Sequence, residues 1–334
     1  MRFSIIIPAY NVEGLIEDCL NSIVFQDFPK EEYEIIIVED CSTDNTYARI
    51  QDLVKDYHKN PDLSNLNITV IKHDVNKRQG GGRNTGLKVA KGEYIMFVDS
   101  DDCWLYGNVL STFSRIIDEF DVDVVESSNT GQFATPHLPL ATYRRSICKY
   151  RITPVERFTG CKMEFPVWNK AYKHSYIKSI NLEFAEGVYF EDSDWGIMSL
   201  ALAKDIDVID FPFYGYRMNP TSTLNLKNRK LFIDDIKGIE RTMALIKERY
   251  IPDEVGTNIK LLIKRIICNY LRYSRNFALK DSIAAIHYLQ DTGLLSMDYP
   301  GSTIGERIKL LLLRRAAVPV LTLRKLLTFV INDA

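Results

Sequence analysis

The chain has 334 residues, 46% of them hydrophobic and 26% charged, with a net charge of −2. That length allows one large domain plus an appendage, and the near-neutral balance gives no electrostatic basis for a nucleic-acid partner. The cysteines Cys19, Cys41, Cys103, Cys148, Cys161 and Cys268 are scattered without CxxC or metal-type spacing, and read as free thiols in a reducing compartment.

The opening residues "MRFSIIIPAYNV" hold an apolar segment too short for a signal peptide, interrupted by Pro8 and followed by no small-residue cleavage site. No run approaches the roughly 18–20 apolar residues needed to cross a bilayer. A soluble or peripheral cytoplasmic protein is expected. Strand and helix then alternate. Phe3–Ile7 is a strand, and Leu15, Ile16, Cys19, Leu20, Ile23 and Val24 recur at helical spacing. Glu34–Val38 is a second strand ending in Glu39 and Asp40. Asp44 is placed to cap a helix carrying Ile50, Leu53 and Val54, and Ile68–Ile71 gives a third strand. A helix near residues 83–91 leads into the fourth strand, Tyr94–Val98, which runs directly into Asp99, Asp101 and Asp102. This alternation argues a doubly wound, mostly parallel α/β sheet covered on both faces, with ligands at the carboxyl ends of its strands. Pro8–Asn11, Glu39–Asp44 and Asp99–Asp102 all fall there.

Three carboxylates in four residues repel: two charges about 4 Å apart interact by about 4 kcal/mol at an effective dielectric near 20. A hard cation held through oxygens would offset that; an acidic turn capping the next helix is the plainer reading. The glycine-rich "QGGGRNTG" (79–86) is not a Walker loop, because Leu87 stands where lysine belongs, nor a dinucleotide fingerprint, because Thr85 stands where its third glycine belongs. It reads as a flexible loop entering a helix, with Arg83 and Asn84 suited to approach a phosphate or sugar. Residues 105–225 are more mixed, with a helix near Gly107–Glu119 and a strand at Val122–Ser127, and should carry the acceptor half. After about Leu226 the apolar spacing turns helical, giving a separate C-terminal region, 226–334.

The motifs "SIIIPAYNVEGLIEDCLNSI", "IIIVEDCSTDNT", "GGGRNTGLKVAKGEYIMFVDSDD", "VWNKAYK" and "YFEDSDWGIMSLALA" stand in the order seen in the family 2 inverting nucleotide-sugar glycosyltransferases, which the first 225 or so residues resemble. The resemblance implies a GT-A, Rossmann-like catalytic domain over 1–225, with 1–104 the nucleotide-sugar half and 105–225 the acceptor half. By that similarity Tyr10 would stack on the nucleobase, Asp40 would accept its imide hydrogen, and Pro8, Ala9, Tyr10 and Asn11 would frame the ribose. Stacking beside a carboxylate acceptor suits uracil, so UDP is the expected nucleotide. The family often has aspartate at Glu39 and glycine at Cys41; Glu39 keeps the charge, and Cys41 suggests a less demanding turn. Asp99-Ser100-Asp101 matches the DxD motif, with Asp99 on ribose or metal-bound water and Asp101 on a Mg2+ or Mn2+ bridging the diphosphate. Asp102 would stand behind them. The Glu191-Asp192 pair matches the family's ED motif, with Asp192 as general base toward the acceptor hydroxyl and Glu191 orienting acceptor or base. Without the resemblance, these two read equally well as acidic residues favouring a helix dipole.

Trp168 is either a sugar-stacking wall or a packed core tryptophan, and Arg217 either reaches the diphosphate or is an ordinary surface arginine. The histidines show no ligand spacing and receive no role. The activity implied is transfer of a sugar from a UDP-sugar to a saccharide or lipid-linked saccharide hydroxyl, as in cell-surface polysaccharide synthesis. A nucleotidyltransferase is the alternative enzyme, though "PAYNVEG" lacks the basic glycine-rich loop such enzymes carry after their first strand. A catalytically silent sugar-nucleotide binder is the other alternative. The segment 304–334 alternates leucines with Arg307, Lys309, Arg314, Arg315, Arg324 and Lys325, divided by Pro319. It either lies peripherally on the inner face of a membrane or docks as helices on protein.

Overall fold

The computed structural model describes residues 1–119, 121–128, 131–132, 140–159, 166–217, 229–273, 278–297, 299 and 304–315. Cys161, within the undescribed residues 160–165, and residues 133–139 and 316–334 with Pro319 lie outside them. The chain clusters as two compact units, residues 1–156 with 164–219, and residues 157–163 with 220–334.

The first unit opens with β1 (Phe3–Ala9), α1 (Ile16–Val24), β2 (Tyr33–Glu39), α2 (Thr46–Lys59), β3 (Asn67–Lys72), α3 (Arg78–Val89) and β4 (Tyr94–Phe97). It continues through β5 (Cys103–Trp104), α4 (Val109–Glu119), β6 (Val124–Ser127), β7 (Gly131–Gln132), β8 (Lys149–Ile152) and α5 (Pro154–Thr159), the last reaching into the second unit. Then come β9 (Lys170–Lys173), α6 (His174–Ile180), α7 (Glu191–Ala201), β10 (Ile206–Ile209) and β11 (Tyr214–Tyr216). The main sheet has the order β3-β2-β1-β4-β9-β6-β10-β8. β1 pairs in parallel with β2 and β4, as do β2 with β3 and β6 with β10, whereas β9 runs antiparallel between β4 and β6 and β8 runs antiparallel along β10. A smaller sheet, β5-β11-β7, was not foreseen from the two- and three-residue segments that form it.

β1, β2 and β4 are buried along their whole lengths, as parallel strands covered on both faces require. Side chains alternate between faces: Phe3, Ile5 and Ile7 enter one apolar layer with Cys19, Leu20 and Ile23 of α1 and Phe113 of α4, while Ile6 meets α3 on the other face. Burying each such aliphatic side chain contributes about 1.5–3 kcal/mol. The glycine-rich stretch corrects the sequence reading. It is not a loop: the helix already starts at Arg78 and takes in Gly80–Gly82, although glycine costs about 1 kcal/mol per helical position relative to alanine. Close approach explains the exchange. A Cβ on Gly86 would stand 2.3 Å from Ile6 Cγ2, and one on Gly80 would stand 2.2 Å from the Ala185 carbonyl oxygen.

The second unit is helical, with α8 (Arg229–Glu248), α9 (Asp253–Tyr273), α10 (Leu279–Asp291) and α11 (Ile304–Arg315). One face of α11 is docked within this unit: Leu313 is fully buried, Glu306 lies 3.1 Å from Lys264 of α9, and Gln290 of α10 donates to the Leu313 carbonyl at 2.7 Å. Its other face leaves Arg307, Ile308, Lys309 and Leu311 exposed. Among the described residues no helix is long and apolar enough to cross a membrane.

Candidate active site

Strand register brings three polar strand ends together. Ala9 pairs with Glu39, Asp40 N donates to the Ala9 carbonyl at 2.9 Å, and Val98 N donates to that of Ile6 at 3.1 Å. The loops beyond β1 and β2 are tied: Thr43 N donates to Asn11 Oδ1 at 2.8 Å, and Val12 N to Thr46 Oγ1 at 2.8 Å. Asp44 accepts from Thr46 N and Glu13 N and so braces this junction, while the N-cap position of α2 is Asn45. Asn11, Cys41, Arg78 and Phe190 all adopt positive φ, at 52°, 60°, 61° and 57°. Left-handed backbone is costly for side chains other than glycine and clusters where function constrains a chain. Cys41 therefore overturns the less demanding turn read from its sequence: the turn keeps the conformation that favours glycine, with a cysteine in it.

At the end of β1 Tyr10 is 44% exposed. Pro8 and Ala9 complete the end of β1. Glu39 Oε1 accepts from Ser42 N at 2.6 Å, and Asp40 Oδ1 accepts from Lys77 N at 2.8 Å and faces His73 Nδ1 at 2.7 Å. Glu39 Oε2 and Asp40 Oδ2 are buried without a hydrogen-bond partner. An unmatched buried acceptor of this kind costs about 1–3 kcal/mol, more when charged.

Beyond β4, Asp99 and Asp101 are half-buried and Ser100 is buried. Asp102 lies beneath them, accepting from Tyr214 Oη at 2.8 Å and Arg217 N at 2.7 Å. Burial, then the charges of Asp99 and Asp101, push its carboxyl up to about 8. Tyr214 Oη also accepts from Asp99 N at 3.1 Å, so one buried phenol spans the turn. The Arg217 guanidinium pairs with Asp18 of α1 at 2.7 Å. Trp168 stacks on Tyr214 with ring centres 4.1 Å apart and a 19° tilt, and on Tyr216 at 6.2 Å; one face of the half-buried ring is thus packed on the protein.

Arg83 connects the two acidic motifs. It is 2% exposed, donating from Nη1 to Glu191 Oε1 at 2.5 Å and from Nη2 to Asp99 Oδ1 at 2.7 Å. Burial works against its charge, but the carboxylates of Asp99 and Glu191 hold its pKa above the ordinary arginine value. Arg83 thus has two carboxylate partners. Asn84 is likewise engaged, donating to the Phe184 carbonyl at 2.9 Å and accepting from Phe184 N at 2.9 Å. Glu191 opens α7 and is buried; burial raises its carboxyl while Arg83 pulls it back. Asp192, half-buried beside it, is raised to about 7, first by burial and then by the Glu191 charge. A carboxyl poised there switches between proton acceptor and acid near neutral pH.

His73 and Tyr214 were missed in the sequence. His73 had a usable signal, because it directly follows the third strand and so falls at the same sheet end as Asp40. Tyr214 had none, since its value lies in reaching two residues more than 110 positions away.

Residues 4–175 match the family model described as Glycosyl transferase family 2. The poly(ribitol-phosphate) beta-glucosyltransferase of Bacillus spizizenii is 50% identical over 103 residues, 30% of this chain and 15% of that protein. The poly(ribitol-phosphate) beta-N-acetylglucosaminyltransferase TarS of Staphylococcus aureus is 41% identical over 126 residues, 37% of this chain and 20% of TarS. The matched stretches thus span a fifth or less of these relatives' lengths. The crystal structure of TarS 1–349 in complex with UDP-GlcNAc superposes with a TM-score of 0.73 at 23% identity, covering 96% of this chain and 91% of that one. The mannosyltransferase PcManGT of Pyrobaculum calidifontis, in complex with GDP-Man and Mn2+, superposes with a TM-score of 0.56 at 16% identity, over 97% and 87%.

Proposed function

The chain belongs to glycosyl transferase family 2, and from that premise we propose that it transfers a sugar from a UDP-sugar to a hydroxyl of a saccharide or lipid-linked saccharide, inverting the anomeric carbon. The observation that carries this reading is Arg83, whose guanidinium touches both Asp99 of the DxD motif and Glu191 of the ED motif. A donor-binding element and a proton-accepting element are thereby held at one end of one sheet. Tyr10 and the unpartnered Asp40 Oδ2 offer a stacking face and an acceptor for a nucleobase. The UDP-GlcNAc held by the TarS structure supports a UDP-sugar donor, and the names of the two relatives support a polymeric acceptor of the poly(ribitol-phosphate) kind.

The acidic turn fits a divalent ion. Asp99 and Asp101 offer hard oxygen donors suited to Mg2+ or Mn2+, and Asp102, whose carboxyl is raised first by burial and then by their two charges, stands behind them. Among the described residues no three acidic, histidine or cysteine side chains already form a ligand cluster, so Asp101 and Asp99 would hold an ion together with a diphosphate. Bound there, such an ion would supply positive charge to offset that developing on the departing nucleotide, and the Mn2+ in the PcManGT structure supports its use.

On the acceptor side Asp192 takes the hydroxyl proton as the oxygen attacks the anomeric carbon from the face opposite the diphosphate. Burial, and after it the charge of Glu191 held in place by Arg83, keeps the Asp192 proton affinity high. Attack from that face needs no covalent intermediate and inverts the anomer. The exposed side of α11, with Arg307 and Lys309 beside Ile308 and Leu311, suits peripheral contact with an anionic membrane. A panel of nucleotide-sugars assayed for nucleotide release, with and without Mn2+, tests the activity. Metal-dependent release from a UDP-sugar is expected, and no release from any donor with any acceptor mixture would overturn it.

A further inference from the structure

The two oxygens of Asp40 are not equivalent. Oδ1 carries two contacts, the Lys77 amide at 2.8 Å and His73 Nδ1 at 2.7 Å, while Oδ2 is buried with none. An ionised carboxylate only accepts, so His73 Nδ1 bears the proton in this contact. His73 is itself held on three sides. It is 8% exposed, its Nε2 lies 2.9 Å from Thr85 Oγ1 on α3, and its backbone N donates to the Glu39 carbonyl at 2.8 Å. The Thr85 hydroxyl meets Nε2 on the other side of the ring. Asp40 thus cannot turn its second oxygen without breaking contacts made from the end of β3 and from α3.

We propose that His73 is a positioning residue that makes Asp40 a single-acceptor reader, matched to a nucleobase edge presenting one N–H donor, and so sets a preference for uracil. The inference rests on the nucleotide-sugar reading above. One oriented oxygen suits the lone imide N–H of uracil, whereas the paired N–H groups on the guanine edge call for both oxygens of a carboxylate. Because Oδ1 is occupied from within the protein, the pairing is decided before any nucleotide arrives, which lowers the ordering cost of binding.

The test compares UDP with N3-methyl-UDP by calorimetry in fixed Mn2+, using the full chain. The methyl group removes the imide donor and leaves sugar and phosphates unchanged. Wild type should bind UDP about tenfold or more tighter than the analogue, the range for losing a charge-assisted hydrogen bond. In His73→Leu, UDP binding should fall toward that of the analogue, bringing the ratio within about threefold. His73→Asn, which can keep an N–H near the Nδ1 position, should recover much of the ratio. A purely structural histidine would weaken both ligands alike, so a wild-type ratio in His73→Leu overturns the proposal, as does an asparagine variant that folds yet recovers nothing. Should the leucine variant fail to fold, Thr85→Val, which removes only the contact at Nε2, decides: a lowered ratio supports the role and an unchanged one removes it. Failure of wild type to bind UDP at all would instead strike the nucleotide-sugar reading.

Discussion

Replacing Arg83 with methionine keeps much of the aliphatic bulk and removes the guanidinium that Glu191 and Asp99 share. The Glu191 side chain is 5% exposed and that of Asp99 22% exposed, so the first carboxylate loses its guanidinium partner in a site with little access to water. Removing one partner of a buried ion pair costs about 3–5 kcal/mol, and Glu191 should account for most of it. Urea unfolding followed by tryptophan fluorescence reads this unit selectively, because Trp104, Trp168 and Trp195 all lie in it; the midpoint should drop with little change in slope. The sign of the pH dependence follows from the direction of the Glu191 shift. Burial already raises its folded-state pKa, and loss of Arg83 raises it further, so the folded variant holds a proton that the unfolded chain releases. Stability from that proton is present at low pH and lost as pH rises. The deficit against wild type should therefore be smaller at pH 5 than at pH 8. A deficit below about 1 kcal/mol, typical of an exposed pair, or one equal at both pH values, would refute the bridging role.

Three further outcomes are expected. Gly86→Ala should destabilise the protein, since overpacking costs about 1–3 kcal/mol against about 1 kcal/mol gained in helix propensity; a denaturation midpoint at or above wild type would show that α3 does not press on Ile6. Tyr10→Ala should weaken UDP binding by about 1–3 kcal/mol, the range for stacking a base on an aromatic ring, while calorimetry across a Mn2+ series leaves the metal dependence unchanged; an altered metal dependence would place Tyr10 elsewhere. Full-length protein should float with liposomes containing anionic lipid, and the Ile308→Asp, Leu311→Asp double variant should not; equal flotation of both would remove the α11 face as the contact.

Much of the first unit was legible because its signals are local. β1, β2 and β4 are continuous apolar runs ending in polar residues, and the rule that parallel sheets bind at strand ends already groups Tyr10, Asp40 and Asp99. The glycine-rich helix was misread because propensity describes an isolated helix, while Gly80 and Gly86 answer to Ala185 and Ile6, which are remote in the chain. Arg83 was identified as important, yet its partners were not. Its contact with Glu191 spans 108 positions, and no local pattern encodes which buried anion a cation meets. The antiparallel placement of β9 between β4 and β6 was hidden for the same reason. Cys41 shows a subtler limit: its side chain argued for a relaxed turn, while the tied loops beyond β1 and β2 accompany a left-handed backbone.

The proposed mechanism makes Asp192 the base of an inverting transfer. Asp192→Asn keeps size and removes the proton acceptor, so transfer from the donor found in the nucleotide-sugar panel should fall about 10²–10⁴-fold, with UDP and Mn2+ binding near wild type. In wild type, kcat/KM should rise with pH through about 7 as the raised Asp192 carboxyl ionises. The decisive reading is this kinetic pair taken together with the product anomer by NMR. An inverted product and a crippled asparagine variant are predicted; a retained anomer, or near-normal transfer by Asp192→Asn, would contradict the mechanism.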